Sequence, residues 1–478
     1  MKTLSAENLI NAGRIIDPPF KLIANIAGAA CELEFSKVLR LLPGKRLVGV
    51  ARVDGNDMLA KVYVGRSAAR YARRERQGVR LIADAGVRTP LLKWHAPLMD
   101  GKGEVLAFEF LPDAVSLFER WREAQQEEAR IDVLTRAMVI IAKLHNEGVV
   151  QNDIHLANFL MSNGRLYTID GGDIARRSHP PLAERSSLRN VGMFFAQFFP
   201  RYDHLVEIVL PAYEAVRGWD MQPTRLEDLA REIETSRSRR KRLCIDKAFR
   251  DCTRFVCNKS LDRFVVCDRD AYTYEMEQVL ADPDEFMIQG QLLKDSPTST
   301  VAIVEVSGRS LVIKRYNMKS FWHRIKRAFR RSRAWKSWAN ACRMEVVGIP
   351  SVKPVALVEH RIGPLRGKAY FITEYVEGPD ALACVWNLGH PNGELEALTS
   401  ILQELADSQI SHGDMKATNF VMAEQGPVIL DLDAMKEHGN RASFRRAFQR
   451  DIKRFMQNWQ DRPEIASRFE GLLGNLNY

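Results

Sequence analysis

Residues 411–433 read SHGDMKATNFVMAEQGPVILDLD, and residues 151–171 read QNDIHLANFLMSNGRLYTIDG. In each stretch an Asp is followed five residues later by an Asn and seventeen residues later by a second Asp. These are Asp153, Asn158 and Asp170 in the first copy and Asp414, Asn419 and Asp431 in the second, all at one offset of 261 residues. Polar groups kept at one offset, with mostly different residues between them, describe one site written twice. A period this long predicts duplicated domains, because solenoid repeats run to about 20–50 residues.

The match extends outward. Arg189-Asn190-Val191 lies opposite Arg450-Asp451-Ile452, and Phe194 and Phe198 lie opposite Phe455 and Trp459. Upstream, AGVRTP at 85–90 parallels VGIPSV at 347–352, and Lys61 in MLAKVYV parallels Lys314 in LVIKRYN. Both lysines sit in runs rich in Val, Ile and Leu that read as strands. From Lys to Gly the chain counts 25 residues in the first copy (Lys61 to Gly86) and 34 in the second (Lys314 to Gly348), so the second carries an insertion.

A strand Lys, a helix, an Asp-x4-Asn loop and a strand-borne Asp are the minimal parts for moving a phosphoryl group. Lys61 and Lys314 would orient ATP phosphates, and Asp153 and Asp414 would receive or orient the attacking hydroxyl. Asn158 with Asp170, and Asn419 with Asp431, present the oxygen ligands that Mg²⁺ demands. Glu75, eleven residues before Gly86, is placed to pair with Lys61. Glu109 and Glu374 end the strands EVLAFEF and AYFITEY, where a kinase chain crosses between lobes and meets adenine.

With these residues in place, the sequence resembles the protein-kinase-like superfamily. HGDMKATNF and ILDLD are closer to kinases of small molecules and sugars than to protein kinases. The named group it most resembles is the bacterial lipopolysaccharide core kinase family, the WaaP and Kdo-kinase group. SRAWKSWANACRMEVVGIPSVKPVALVE at 332–359 and FITEYVEG at 371–378 carry the likeness most clearly. The resemblance implies an α+β fold of two tandem protein-kinase-like domains, 1–238 and 239–478, each with a small β-rich N-lobe and a larger helical C-lobe. It also implies ATP and Mg²⁺ as cofactors and a sugar hydroxyl of the lipopolysaccharide core as acceptor.

Each copy departs from the family pattern differently. The first has Gln151 where the family has His, which predicts loss of the brace on the strand before Asp170, and Asn190 where an Asp is usual. The second keeps His412, Gly413 and Asp451 but has Lys336-Ser337-Trp338 where an acid matching Glu75 belongs. Neither copy has a Gly-rich phosphate loop. VARVDGNDM (50–58) stands nearest in the first; in the second, Ser296, Thr298, Ser299 and Thr300 of KDSPTSTVAIVEVSG offer hydroxyls and amides, or else form an ordinary hairpin. The second copy is expected to be catalytic and the first either catalytic or a scaffold. The competing reading is a pseudokinase scaffold in envelope assembly, or a kinase of another small molecule or of protein.

The 478-residue chain can bury two cores, and its net charge of +10 points to anionic partners. Charge concentrates at 235–255 and in KSFWHRIKRAFRRSRAWKSW (319–338), where Phe321, Trp322, Phe329, Trp335 and Trp338 interleave with Arg and Lys. That segment suits an anionic membrane surface or phosphorylated glycolipid, or else lends some aromatics to the core. RNA would be met by the same charge and stacking, yet no RNA-binding motif accompanies it. No run approaches the roughly 20 apolar residues of a transmembrane span. LIANIAGAAC (22–31) superficially resembles a lipoprotein cleavage site and is expected to be a helix. Seven cysteines without a framework fit a reducing compartment. A cytoplasmic protein, peripheral at the inner membrane face, is the expectation.

Overall fold

A computed structural model of the protein describes residues 1–220, 222–317, 331–362, 365–387 and 392–474. The chain divides into two compact units, Met1–Phe198 with Tyr202–Arg237, and Phe199–Arg201 with Ser238–Tyr478. The division falls within the helix Pro223–Lys247. Each unit is α+β, a curled sheet followed by helices.

In the first unit, alternating buried and exposed residues build a seven-stranded sheet. Its order is Lys2–Thr3, Phe20–Ile26, Ala29–Leu42, Arg46–Val53, Asn56–Val64, Gly103–Glu109, Leu92–Pro97. The helix Ala68–Asp84 follows the Lys61 strand and buries Ala72, Glu75, Gly78 and Ile82. A helical lobe centred on Glu127–Asn146 and Leu205–Arg217 carries the Asp153 loop, with Ile141, Phe159, Phe194 and Tyr213 in its core.

The helix expected over 22–31 is instead a hairpin between Phe20–Ile26 and Ala29–Leu42. Leu22 and Ala24 are buried while their neighbours are not, a period of two that a helix cannot satisfy. Ala27 and Gly28, at φ 52° and 91°, make the tight turn, a left-handed pair that matches the twist of the flanking strands.

In the second unit the order is Phe255–Lys259, Arg263–Asp268, Pro354–Ile362, Leu365–Glu374, Arg309–Tyr316, Ser299–Val306, Gln291–Ser296. The five strands nearest the Lys follow one order in both sheets. The two further strands extend the first sheet beyond Ala29–Leu42 and the second beyond Pro354–Ile362, on opposite edges. The helix Arg333–Val347 follows the Lys314 strand, capped by Ser332 and ended at Gly348, φ 76°.

Of the basic aromatic segment 319–338, residues 319–330 lie outside the described residues. Two of its aromatics pack inward. Trp338 is fully buried and donates its Nε1–H to Ala248 O at 2.8 Å. Trp335 stacks on Phe249 with ring centroids 3.9 Å apart. Both lie on the core-facing side of the helix after the Lys strand, Trp338 fully buried and Trp335 partly.

Candidate active site

The Asp-x4-Asn loops are built alike. After a short strand the chain enters a single 3-10 turn, Leu156–Asn158 or Ala417–Asn419. Asn158 Nδ2 donates to Asp153 O, and Asn419 Nδ2 donates to Asp414 O, each at 2.8 Å. The amide nitrogen is thereby fixed and the carbonyl oxygen is what each Asn has left to offer. Asp170 and Asp431 stand at the end of the next hairpin in the left-handed region, φ 67° and 51°. A non-glycine residue held there is strained, and such strain collects at functional sites.

In the first unit Lys61 Nζ lies 2.5 Å from Glu75 Oε1 and 3.5 Å from Asp170 Oδ1. Glu75, fully buried, also accepts from Tyr63 Oη at 3.2 Å, Gly171 N at 3.2 Å and Gly172 N at 2.8 Å. Arg46 adds a second cation 3.5 Å from Asp170. Burial alone would raise the Asp170 carboxyl, but Lys61 and Arg46 overturn that and hold it below its ordinary value. The Glu75 helix reaches this loop because Gly78 faces Gly171: a Cβ on Gly78 would stand 1.8 Å from Gly171 O.

In the second unit Lys314 Nζ donates to Asp431 Oδ1 at 2.6 Å across 117 residues of chain. Ser337, eleven residues before Gly348 as Glu75 is before Gly86, occupies the helix-acid position and pairs with Tyr316 Oη at 2.7 Å. Asn340, matching Gly78, donates to Leu432 O at 2.7 Å and Met435 O at 3.1 Å. An ion pair of reversed polarity replaces the helix carboxylate: Arg333 on the helix meets Asp433 on the loop at 2.6 Å. Burial and the neighbouring Asp431 push Asp433 up, against Arg333, while Asp431 stays below its ordinary value because Lys314 outweighs its burial.

The expected loss of the loop brace in the first unit does not occur. Gln151 Nε2 donates to Ile169 O at 3.3 Å, the contact that His412 Nε2 makes with Leu430 O at 3.1 Å. An amide reaches as far as an imidazole and carries the same donor. The downstream anchors differ in sense. Asp451 accepts from His412 N at 2.7 Å and Gly413 N at 2.9 Å, whereas Asn190 donates to Gln151 O at 2.9 Å. The Asn190 oxygen faces His145 Nε2 at 3.0 Å, and His145 Nδ1 faces Tyr213 Oη at 2.8 Å. Burial pushes His145 down to about 4, so the ring is neutral and Nε2 is its donor.

The sheet order also relocates the first unit's counterpart of the Ser296–Ser299 turn. VARVDGNDM is the hairpin at Asp54-Gly55, one strand too late. The turn matching Ser296–Ser299 is Leu42–Arg46, with Gly44 at φ 65°. In the second unit the hydroxyls already have partners inside the hairpin: Ser296 Oγ with Ser299 N and O, and Thr300 Oγ1 with Asp295. Glu374 accepts from Lys353 Nζ at 2.7 Å, and Glu109 pairs through its backbone with Leu91. Sequence reading missed Arg46, Arg333, Asp433 and Lys416, whose Nζ lies 3.0 Å from Asp414 Oδ2. Only the D-x-K spacing of Lys416 signalled any of them.

Glu109 lines a 370 Å³ cavity in the first unit. Val48, Val50, Leu59 and Leu160 form its apolar walls, and Lys61, Glu75 and Asp170 close its polar end. An apolar slot ending in a few convergent charges is the form of a cofactor site. Among the described residues no group of three or more His, Cys, Asp and Glu gathers as a metal site. An Asn oxygen with one carboxylate fits a hard cation that keeps waters and takes its remaining ligands from phosphates.

Residues 286–468 match the model of the Lipopolysaccharide kinase (Kdo/WaaP) family. No curated protein matches the chain. A solved structure described as WaaP in complex with acyl carrier protein aligns at 20% identity and a TM-score of 0.30, over 42% of this chain and 88% of that one. A likeness that low supports no argument about this site. The likeness to the lipopolysaccharide kinase (Kdo/WaaP) family therefore lies in the second unit, over residues 286–468.

Proposed function

We propose that the chain is an ATP-dependent phosphotransferase acting on a sugar hydroxyl, heptose or Kdo, of the lipopolysaccharide inner core, and that residues 239–478 form its active domain. The observation that carries this reading is the Lys314–Asp431 contact of 2.6 Å beside the Asp414–Asn419 loop, inside the residues that match the family. Lys314 holds the ATP phosphates, and Asn419 with Asp431 holds Mg²⁺, which when bound supplies charge neutralisation. The acceptor hydroxyl oxygen bonds to the γ-phosphorus, the bond to ADP breaks, and Asp414 takes the hydroxyl proton. Asp414 is suited to that role because its side chain is 45% exposed and its backbone is fixed by Asn419.

For residues 1–238, a duplicate of the same domain, the 370 Å³ cavity favours nucleotide binding. Lys61 with Glu75, Asn158 and Asp170 take the same roles there, and Asp153 stands where Asp414 does. Glu109 and Glu374 mark the crossings where adenine binds. Mass spectrometry of the core from a deletion strain tests the assignment. A core lacking one phosphate, restored by wild type and by Asp153→Ala but not by Asp414→Ala, is expected. Full restoration by Asp414→Ala overturns it.

Among the described residues no helix is long and apolar enough to cross a membrane. A cytoplasmic protein docked on anionic lipid through the basic part of 319–338 completes this reading. Arg324, Lys326, Arg327 and Arg330 changed together to Glu should release the protein from anionic vesicles. Unchanged sedimentation with them removes the docking.

A further inference from the structure

Beside Asp414 the second unit has a 680 Å³ cleft lined by Lys436, Ser443, Arg446, Arg450 and Arg454. The arginines recur every four residues along the helix Arg441–Met456, so they form one stripe on one face. Phe444, Phe448 and Phe455 on the same helix are in the core, and Asp451 ties it to the backbone of the catalytic loop through His412 N and Gly413 N. The stripe is therefore held at a fixed place relative to Asp414, with Arg454 Nε 3.8 Å from Asp414 Oδ1.

Like charges four apart on a helix repel. Among the described residues, neither Arg446 nor Arg450 has an ion-pair partner to relieve this. Burial, and then Lys436 and Arg450, push His438 at the cleft below its ordinary value. The cleft is positive, open and next to the proton-accepting group. At the 261-residue offset the first unit keeps Arg185 and Arg189, but has Met193 for Arg454 and Ala175 for Lys436.

We propose that this cleft binds an anionic group, carboxylate or phosphate, that the acceptor carries near the hydroxyl to be phosphorylated, with Arg446 and Arg450 as its specificity-determining residues. Planar guanidinium groups suit either anion, through paired N–H donors. The inference rests on the phosphotransferase reading above and names what that site selects.

The test uses the full chain and the inner-core glycolipid extracted from the deletion strain. Three forms serve as probes: intact, dephosphorylated and carboxyl-reduced. The Arg446→Ala/Arg450→Ala variant should raise the acceptor KM about tenfold or more, the loss expected when charge-assisted bonds are removed, while the ATP KM stays as it is. Arg185→Ala/Arg189→Ala should leave the acceptor KM unmoved. Direct binding of the intact glycolipid without ATP should weaken by the same factor, and whichever chemical treatment abolishes the effect identifies the anion. An unchanged acceptor KM and affinity in the Arg446/Arg450 variant, with turnover lost in Asp414→Ala, overturns the cleft and leaves the kinase reading standing. Wild-type binding without turnover overturns the kinase reading, and equal binding of all three forms overturns the cleft.

Discussion

In the first unit a buried helix carboxylate, Glu75, gathers Lys61, Tyr63 and two backbone amides. In the second unit Ser337 stands at that place and, among the described residues, its hydroxyl pairs with Tyr316 alone. Lys314 nevertheless reaches Asp431, and the helix is still tied to the loop, by Arg333–Asp433 and by Asn340. The helix acid is thus one of two ways to dock this helix. The alternative moves the acid to the loop and the base to the helix, and among the described residues it leaves the strand Lys with a single carboxylate.

That contrast can be broken by removing the acid and its counterpart. Glu75→Ala takes from the buried Lys61 ammonium its nearer carboxylate and strands two amides, and should cost about 3–5 kcal/mol. The loss should appear as faster hydrogen exchange in the Ala68–Asp84 helix. Acid sharpens the contrast at the downstream anchors. His145 is neutral in the fold and its pKa is lowered to about 4 from an ordinary 6.5. Its contribution is therefore full above 6.5 and lost as pH falls toward 4, by up to roughly 3 kcal/mol. Asp451 has the opposite sign: burial raises it, despite two amide donors, so its unfavourable charge is relieved as pH falls through the raised value. Exchange in the Glu127–Asn146 helix should rise on acidification, and His145→Gln should flatten that response. Ser337→Ala, the smallest change, removes one neutral hydrogen bond and should cost about 1 kcal/mol. Equal losses for Glu75→Ala and Ser337→Ala would mean that Glu75 has no special place.

The Asp-x4-Asn loops were legible because their residue types recur at single-residue spacing. Asp153, Asn158 and Asp170 recur 261 residues on whatever fills the interval, and the Lys strands show in their apolar alternation. The position of Ser337 was legible too, eleven residues before a helix-ending Gly. Its replacement was not, because Arg333 and Asp433 meet across 100 residues and no local pattern joins them. Gln151 was misjudged from residue type alone, since the contact needs a donor of the right reach and not an imidazole. The N-terminal hairpin was misread because small and apolar residues in LIANIAGAAC satisfy helix and strand periods alike over so short a run. Only the left-handed turn at Ala27-Gly28 decides between them.

Asp170 and Asp431 both sit in left-handed backbone, and this determines which replacements there can be interpreted. For an L-residue with a long or branched side chain that conformation is costly, while Asn and Gly accept it. Glu would preserve the charge yet fight the backbone, so a weakened Asp431→Glu variant says little about electrostatics. Asn keeps the shape, the hand and one oxygen while removing the charge. At these two positions the chirality of the chain makes the uncharged substitution the conservative one.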